Sequence, residues 1–407
     1  MILSLSILAA VFLLIAVRQV GNLRLPIWQV MLAGAVLTVA TGQISPANAL
    51  RAINFKVLIF LFGMFVVGQA LEDSGYLEAL AYGIFSRARS LNQLLFLILF
   101  AAGIGSMLLM NDTLAIVGTP VVLGLARSHR IDAKVLLLAL AFAVTIGSTA
   151  SPIGNPQNLL IALDGGVPNP FVTFARWLLL PTLANLGLAF LFLRRFHRDS
   201  FHDDELVHTR TPIADPQLAR LSRIGASIVL ALIAAKIVFL LLGYNDIIPL
   251  PAIALIPAAL ILLLTRSRRQ ILRRVDWQTI LFFAAMFVLM ESVWQTGFFQ
   301  SLLNGHGWNL SSSGIIMTIA SVLSQFISNV PLVALLQPLI LHAGASMRAL
   351  MALAAGSTIA GNLSILGAAS NVIIIHNAEK RTGDTLTFFE FARVGFPLGL
   401  INLLIYW

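Results

Sequence analysis

Two stretches, "MLLMNDTLAIVGTP" (Met107 to Pro120) and "SQFISNVPLVALLQP" (Ser324 to Pro338), decide how this chain is read. Each sets a polar cluster inside sequence that is otherwise greasy: Asn111-Asp112-Thr113 in the first and Ser328-Asn329 in the second. Of the 407 residues, 58% are hydrophobic and 11% charged, and the mean hydropathy is +0.92. A water-soluble domain carries roughly 25% charged residues, so this chain cannot solvate a globular surface. It reads as an all-α polytopic membrane protein, long enough for about ten spans of roughly 20 residues each. The absence of cysteine excludes disulfides and thiolate metal sites. The seven His show no H-E-x-x-H spacing. The opening run "MILSLSILAAVFLLIAV" lacks a basic flank, and Arg18 follows it, so it reads as a first span and not a signal peptide.

Apolar runs mark ten spans near 2–18, 26–44, 55–72, 135–162, 171–193, 222–242, 247–265, 277–296, 348–376 and 387–407. Two further segments, 91–127 and 311–345, are interrupted at the polar clusters. Each reads as a re-entrant hairpin, which a bilayer tolerates only where protein or a water-filled cavity covers the broken backbone. With both hairpins re-entrant and both termini outside, 21 of the 26 Lys and Arg fall in inside loops. Arg51, Lys56, Arg176 and Arg348 stay outside, and Lys236 falls within a span. This is the positive-inside bias. The formal charge of +9 therefore reports topology and not a nucleic-acid partner, and "RSRRQILRR" (266–274) reads as a cytoplasmic anchor.

The halves also resemble each other. At an offset of 222, Phe60/Phe282, Met64/Met286 and Gly75/Gly297 match; at 218, Ser106/Ser324, Asn111/Asn329 and Pro120/Pro338 match. At 213, Ser151/Ser364, Gly154/Gly367 and Asn158/Asn371 match, and Asn185 matches Asn402. This order predicts a first repeat over 1–195, a polar cytoplasmic linker over 196–221 and a second repeat over 222–407. Five crossings per half turn the second repeat upside down, and inverted repeats with broken helices are the build of secondary transporters.

Four polar breaks carry the chemistry: the two hairpin tips, "TIGSTASPIGNPQN" (145–158) and "GSTIAGNLSILGAASN" (356–371). Helix N-termini in such breaks suit an anion, and unwound carbonyls suit a cation such as Na⁺. The expected site is Asn111, Asp112, Thr113, Ser328 and Asn329 at the tips, lined by Gly147, Ser148, Thr149, Asn155, Asn158, Gly361, Asn362, Ser370 and Asn371. Na⁺ is expected at Asn111, Asp112, Asn155 and Asn329. Close helix packing is the competing reading for the small residues. Asp112 is an intramembrane carboxylate opposite an apolar counterpart, Val330. It either binds a cation, carries a proton or caps the second half-helix. Glu291 is a second proton-relay candidate or else snorkels, while Glu72 and Asp73 read as solvated at a helix end. No Lys or Arg sits at any break.

"MNDTLAIVGTP", "GSTASPIGNPQNLLIA", "SNVPLVALLQP" and "GNLSILGAASNVIIIHNAEK" resemble the ion transporter superfamily. That group holds citrate transporter-like permeases, arsenite pumps, divalent-anion/sodium symporters and some sodium/proton antiporters. The likeness is nearest to its uncharacterised anion permeases. It implies a transporter, not an enzyme, with an elevator-type movement of a transport domain past a dimeric scaffold. No cofactor is expected beyond Na⁺ or H⁺ as coupling ion. The expected function is transport of a small anion or oxyacid across the cytoplasmic membrane. The alternatives are a cation/proton antiporter centred on Asp112, an arsenite/antimonite efflux permease and, remotely, an ion channel. Dicarboxylate symporters of the superfamily carry Ser-Asn-Thr at both tips; here the tips read Asn111-Asp112-Thr113 and Ser328-Asn329-Val330.

Overall fold

The computed structural model describes residues 2–17, 19–20, 23–24, 26–129, 131–198, 213–244, 247–298, 301, 312–326, 328–344, 346–383 and 385–407. Most of the expected linker 196–221 lies outside these residues, as do Arg18, Arg130 and Arg210 of the charge argument and positions 311, 327 and 345 of the second hairpin.

Among the described residues the regular structure is helical apart from a two-residue antiparallel ladder. The first half runs α1 (Ile2–Val17), β1 (Gln19–Val20), β2 (Leu23–Arg24), α2 (Ile27–Ala40), α3 (Pro46–Ala52), α4 (Phe55–Asp73), α5 (Tyr76–Phe85), α6 (Leu91–Leu109), α7 (Asn111–His129), α8 (Ala133–Ser148), α9 (Pro156–Asp164) and α10 (Pro170–Phe196). The second runs α11 (Pro216–Leu241), α12 (Leu250–Leu264), α13 (Arg268–Arg274), α14 (Trp277–Trp294), α15 (Ser313–Leu323), α16 (Asn329–His342), α17 (Met347–Leu363), α18 (Ala369–Thr382) and α19 (Phe388–Tyr406). Among the described residues, α4, α6, α10, α11, α14 and α19 are each long and apolar enough to cross a membrane alone.

Sequence chemistry sets the boundaries. Asn54 caps α4 by accepting from the Lys56 and Val57 amides, and Asp276 caps α14 by accepting from the Thr279 amide. Both 145–158 and 356–371 are true breaks: α8 stops at Ser148 and α9 restarts at Pro156, while α17 stops at Leu363 and α18 restarts at Ala369. Proline suits the first turn of α9 because its missing N–H would be unpaired there anyway. In α10, a π-helical turn at Ala175–Leu179 precedes Pro181, where a missing N–H interrupts the helix ladder.

The element order of the first half recurs in the second, and the contacts recur with it. Helix α6 packs on α8 as α15 packs on α17, and α7 packs on α8 as α16 packs on α17. Other contacts are exchanged between halves: α4 lies on α12 as α14 lies on α2, and α7 lies on α18 as α16 lies on α9. The broken helices α8 and α17 touch each other, as do α10 and α19. The result is two packed groups. One holds α1, α2, α4, α11, α12 and α14; the other holds the hairpins, the broken helices, α10 and α19. They meet where α4 touches α7 and α9, where α14 touches α16 and where the start of α10 touches α11.

Asp73 departs from the solvated expectation. Its side chain is 3% exposed and accepts from Arg274 Nη1 at 2.7 Å and from Gln69 Nε2 at 3.0 Å. Lys236 is buried within its span, and its Nζ donates to the Ile248 carbonyl at 2.6 Å.

Close helix contact depends on glycine at α6/α8. A Cβ built on Gly147 falls 2.1 Å from the Gly103 carbonyl oxygen, so any side chain there drives the two backbones apart. Gly147→Ala is expected to destabilise the detergent-purified protein by about 1–3 kcal/mol, the usual cost of overpacking. Gly83→Ala in α5, where a Cβ meets nothing within 4 Å, is expected to be neutral or stabilising by a few tenths. Thermal unfolding of the two variants checks the contrast.

Candidate functional site

The first hairpin turns at Met110, which takes φ +67°, and α7 begins at Asn111. The tip is fixed to the first break, because the Asn111 amide donates to the Gly154 carbonyl at 2.8 Å. The Asn111 side chain accepts from the Asp112 amide at 2.9 Å. Asp112 therefore enters from the first turn of a half-helix, and its side chain faces a cavity. At the second tip Ser328 precedes α16 and Asn329 begins it.

A cavity of 360 Å³ joins the two tips. It is lined by Asn111 and Asp112 from α7, Ser328, Asn329 and Val330 at the second tip, and Pro156 and Gln157 of α9. Ala368, Ala369, Val372, Ile373 and His376 line it from α18 and the residue before it. The opposite wall comes from the other packed group: Trp28, Asp276, Gln278, Thr279, Phe282 and Phe283. Two carboxylates face the space, and no Lys or Arg is among the lining residues. Asn329 is buried, and its Oδ1 has no hydrogen-bond partner.

Thus Asn111, Asp112, Ser328 and Asn329 are brought together as expected. The rest of the expected set takes other roles. Thr113 is buried with its methyl against Gly68 of α4. Gly147, Ser148, Thr149, Asn155 and Asn158 lie fully buried and do not line the cavity. Asn155 caps α9, accepting from the Asn158 amide at 2.8 Å, and its Nδ2 donates to Ser148 Oγ at 3.1 Å and Thr358 Oγ1 at 3.2 Å. It serves as a cap and stands away from the tip cavity. Asn158 Nδ2 donates to the carbonyls of Ser148, Thr149 and Ser151 at 3.1, 3.2 and 3.1 Å. Asn371, its counterpart, does the same for Gly361 at 2.6 Å and Ser364 at 3.4 Å.

Gly361 and Ser370 are likewise buried away from the cavity. Asn362 turns the other way, donating to Asn402 Oδ1 at 3.0 Å, and Asn402 donates on to Asn185 Oδ1 at 2.9 Å. This buried amide chain ties α17 to α19 and α10. Glu291 is not in the tip cavity. It lines a separate cavity of 360 Å³ with Asp164, Gln337, Phe287 and Trp294, near the other end of α14. A direct relay between Asp112 and Glu291 therefore has no shared space in this state.

Sequence reading missed Gln157, Asp276, Gln278, Thr279 and His376. Asp276 carries a signal, an Asp at an N-cap before an apolar run, but that pattern equally marks an ordinary span boundary.

A broken-helix cavity roofed by two hairpin tips, between two packed groups of helices, defines a polytopic membrane transporter. The sequence profile of the citrate transporter family matches residues 10–349, and the chain belongs to that family. It is similar to the silicon efflux transporter LSI3 of Oryza sativa subsp. japonica, 28% identical over 91% of this chain and 89% of that one. An uncharacterized transporter of Mycobacterium tuberculosis is 27% identical over 99% of this chain and 96% of its own. The P protein of Homo sapiens is 26% identical over 98% of this chain and 58% of its own. The fold is shared with the crystal structure of the Alcanivorax borkumensis YdaH transporter, described as having an unusual topology. The TM-score is 0.60 at 17% identity, over 100% of this chain and 96% of that one. This chain is a multi-pass membrane secondary transporter of a small molecule, and its relatives are transporters, not enzymes.

The Asn158 contacts give a stability test. Its amide hydrogens are shared among three carbonyls of a buried helix end, and each carbonyl left unpaired costs about 1–3 kcal/mol. Asn158→Ala is expected to lower the melting temperature sharply, and Asn158→Asp, which offers no donor, to lower it as much. Asn371→Ala, which loses two contacts, is expected to do less harm. Melting curves of the three variants in one detergent check the order.

Proposed function

We propose that the chain moves a small oxyacid across the cytoplasmic membrane, coupled to Na⁺ or H⁺, with Asp112 carrying the coupling charge. The observation that supports this reading is the tip cavity: Asp112 faces it from a hairpin tip, and Asp276 faces it from the other packed group. Two acids with no Lys or Arg among the described lining residues are a poor receptor for a polycarboxylate, despite the family's title. They suit hydroxyl groups that donate hydrogen bonds, so the substrate we favour is a weak oxyacid that is uncharged at neutral pH. The silicon named for the rice relative occurs in water in that form.

The reading includes two inverted repeats, 1–195 and 222–407. Their pairwise exchange of helix contacts supports it. The group holding the hairpins is the carrier, and the group holding α4, α12 and α14 is the scaffold past which it slides. A homodimer through the scaffold and an orientation with both termini outside complete the proposal. Only 22% of α11's apolar window is buried, which leaves a scaffold face for lipid or a second copy.

Two outcomes follow. Asp112→Asn is expected to fold and bind substrate yet lose gradient-driven uptake in proteoliposomes by at least tenfold. Uptake that keeps its dependence on the Na⁺ or H⁺ gradient would sink the assignment. The orientation is tested in this cysteine-free chain by Arg269→Cys. An impermeant maleimide should label it only after the cytoplasmic face is opened. Labelling in intact cells would reverse the topology.

A further inference from the structure

The two packed groups are joined at one end by a side-chain pair that has a counterpart at the other end. Asn54, the cap of α4 in the scaffold, donates through Nδ2 to both carboxylate oxygens of Asp164, at 2.9 and 2.8 Å. Asp164 is the last residue of α9 in the carrier. Asn54 Oδ1 meanwhile accepts the cap bonds from the Lys56 and Val57 amides. Asn54 is therefore fully used, half as cap and half as clasp.

The repeat correspondence maps this pair onto another. The offset of 222 that aligns α4 with α14 takes Asn54 to Asp276, and both are N-caps. The offset of 213 that aligns α9 with α18 takes Asp164 to Asn377. The amide and the acid have changed places between scaffold and carrier, and the pair stays complementary. Here, however, it is apart. Among the described residues the Asp276 carboxylate accepts hydrogen bonds from Thr279, the amide at 3.0 Å and Oγ1 at 2.6 Å. Asp276 instead lines the open tip cavity beside His376, the neighbour of Asn377. On the clasped side, the cavity that contains Asp164 and Glu291 includes none of the tip residues. The tip residues thus line the cavity on the side of Asp276 and not the one on the side of the Asn54–Asp164 pair.

We propose that Asn54–Asp164 and Asp276–Asn377 are reciprocal latches that position the carrier at the two ends of its stroke. One joins scaffold to carrier in the state seen here, and the other joins them once the tips face the opposite side. A free carboxylate on the open side costs little because water reaches it. When that side closes, the amide of Asn377 replaces the water. Each latch forms as the other breaks, so neither end state is favoured by latch chemistry alone. This inference rests on the sliding carrier proposed above, and it gives Asp276 a gating role in addition to its place in the cavity wall.

Two cysteine pairs in the cysteine-free chain test it. Asn54→Cys with Asp164→Cys should form a disulfide readily, stop uptake, and recover it on reduction. Asp276→Cys with Asn377→Cys should also crosslink, more slowly because that state is the less populated one, and should stop uptake as well. A third variant, Asn54→Asp, sets two acids against each other and should release the closed latch. The reporter is Val372→Cys, which lines the tip cavity, labelled with an impermeant maleimide from each face. The ratio of labelling between the faces should shift on the order of tenfold, the value of a charge-assisted hydrogen bond. Failure of the Asp276/Asn377 pair to crosslink, or an unchanged labelling ratio in Asn54→Asp, overturns the latches. If wild-type uptake and its loss in Asp112→Asn persist in that case, the transport reading stands without them. If both pairs crosslink but wild type shows no coupled uptake, the transport reading falls and the latches remain.

Discussion

A carboxamide donating to the loose end of a broken helix is the contact on which this architecture depends. In a bilayer interior each unpaired backbone carbonyl is costly, because no water replaces the lost partner. The two breaks expose several such carbonyls near the centre of the molecule. Asn158 gathers three of them and Asn371 two. Asparagine suits the task because its amide is short, rigid and uncharged, and offers two hydrogens from one nitrogen. With the ends tied back, the half-helices can stop within the membrane, and the hairpin tips can reach them. The Asn111 amide then closes on the Gly154 carbonyl, which anchors the first tip to the first break.

The halves share this framework and differ in its lining. Asn155 in the first break aligns with Ala368 in the second. As a result Thr358 Oγ1 has Asn155 and Gln157 as donors, while its counterpart Thr145 Oγ1 is buried without a partner. Asp112 aligns with Val330, and the amide cap Asn54 with the acid cap Asp276. Pairing that is symmetric in backbone and asymmetric in charge keeps the fold of a repeat while setting Asp112 and Asp276 together in the tip cavity. That cavity holds its two carboxylates on two different bodies, so the field felt at the tips changes whenever one body moves against the other.

Much of the fold was legible. Gly, Pro and Asn punctuate the sequence where the helices stop, and the polar clusters at Asn111 and Ser328 stand where α7 and α16 begin. The site was legible only in part, for a physical reason. Asn155, Asn158, Asn362 and Asn371 are polar residues in greasy sequence, and such residues read as ligands. A broken membrane helix, however, presents its own unpaired carbonyls and caps, and these claim the nearest amides first. Asn362 was claimed from behind, by Asn402 and Asn185. Asp276 was missed for the opposite reason. At a span boundary an acidic cap looks like ordinary interface chemistry, and only the three-dimensional packing carries it to the tips.

Helix α14 shows why the two packed groups matter more than any single residue. Asp276 and Glu291 lie at its opposite ends, about 22 Å apart at 1.5 Å per residue, and each faces a different cavity. The apolar stretch between them, including Phe283, Met286 and Leu289, is buried. No continuous polar path along this helix joins the two acids. A bound charge therefore cannot pass from one cavity to the other by hopping along α14. Among the described residues that is an argument against a static channel and for a carrier. It rests on a barrier of fixed apolar side chains and not on the resemblance to other transporters.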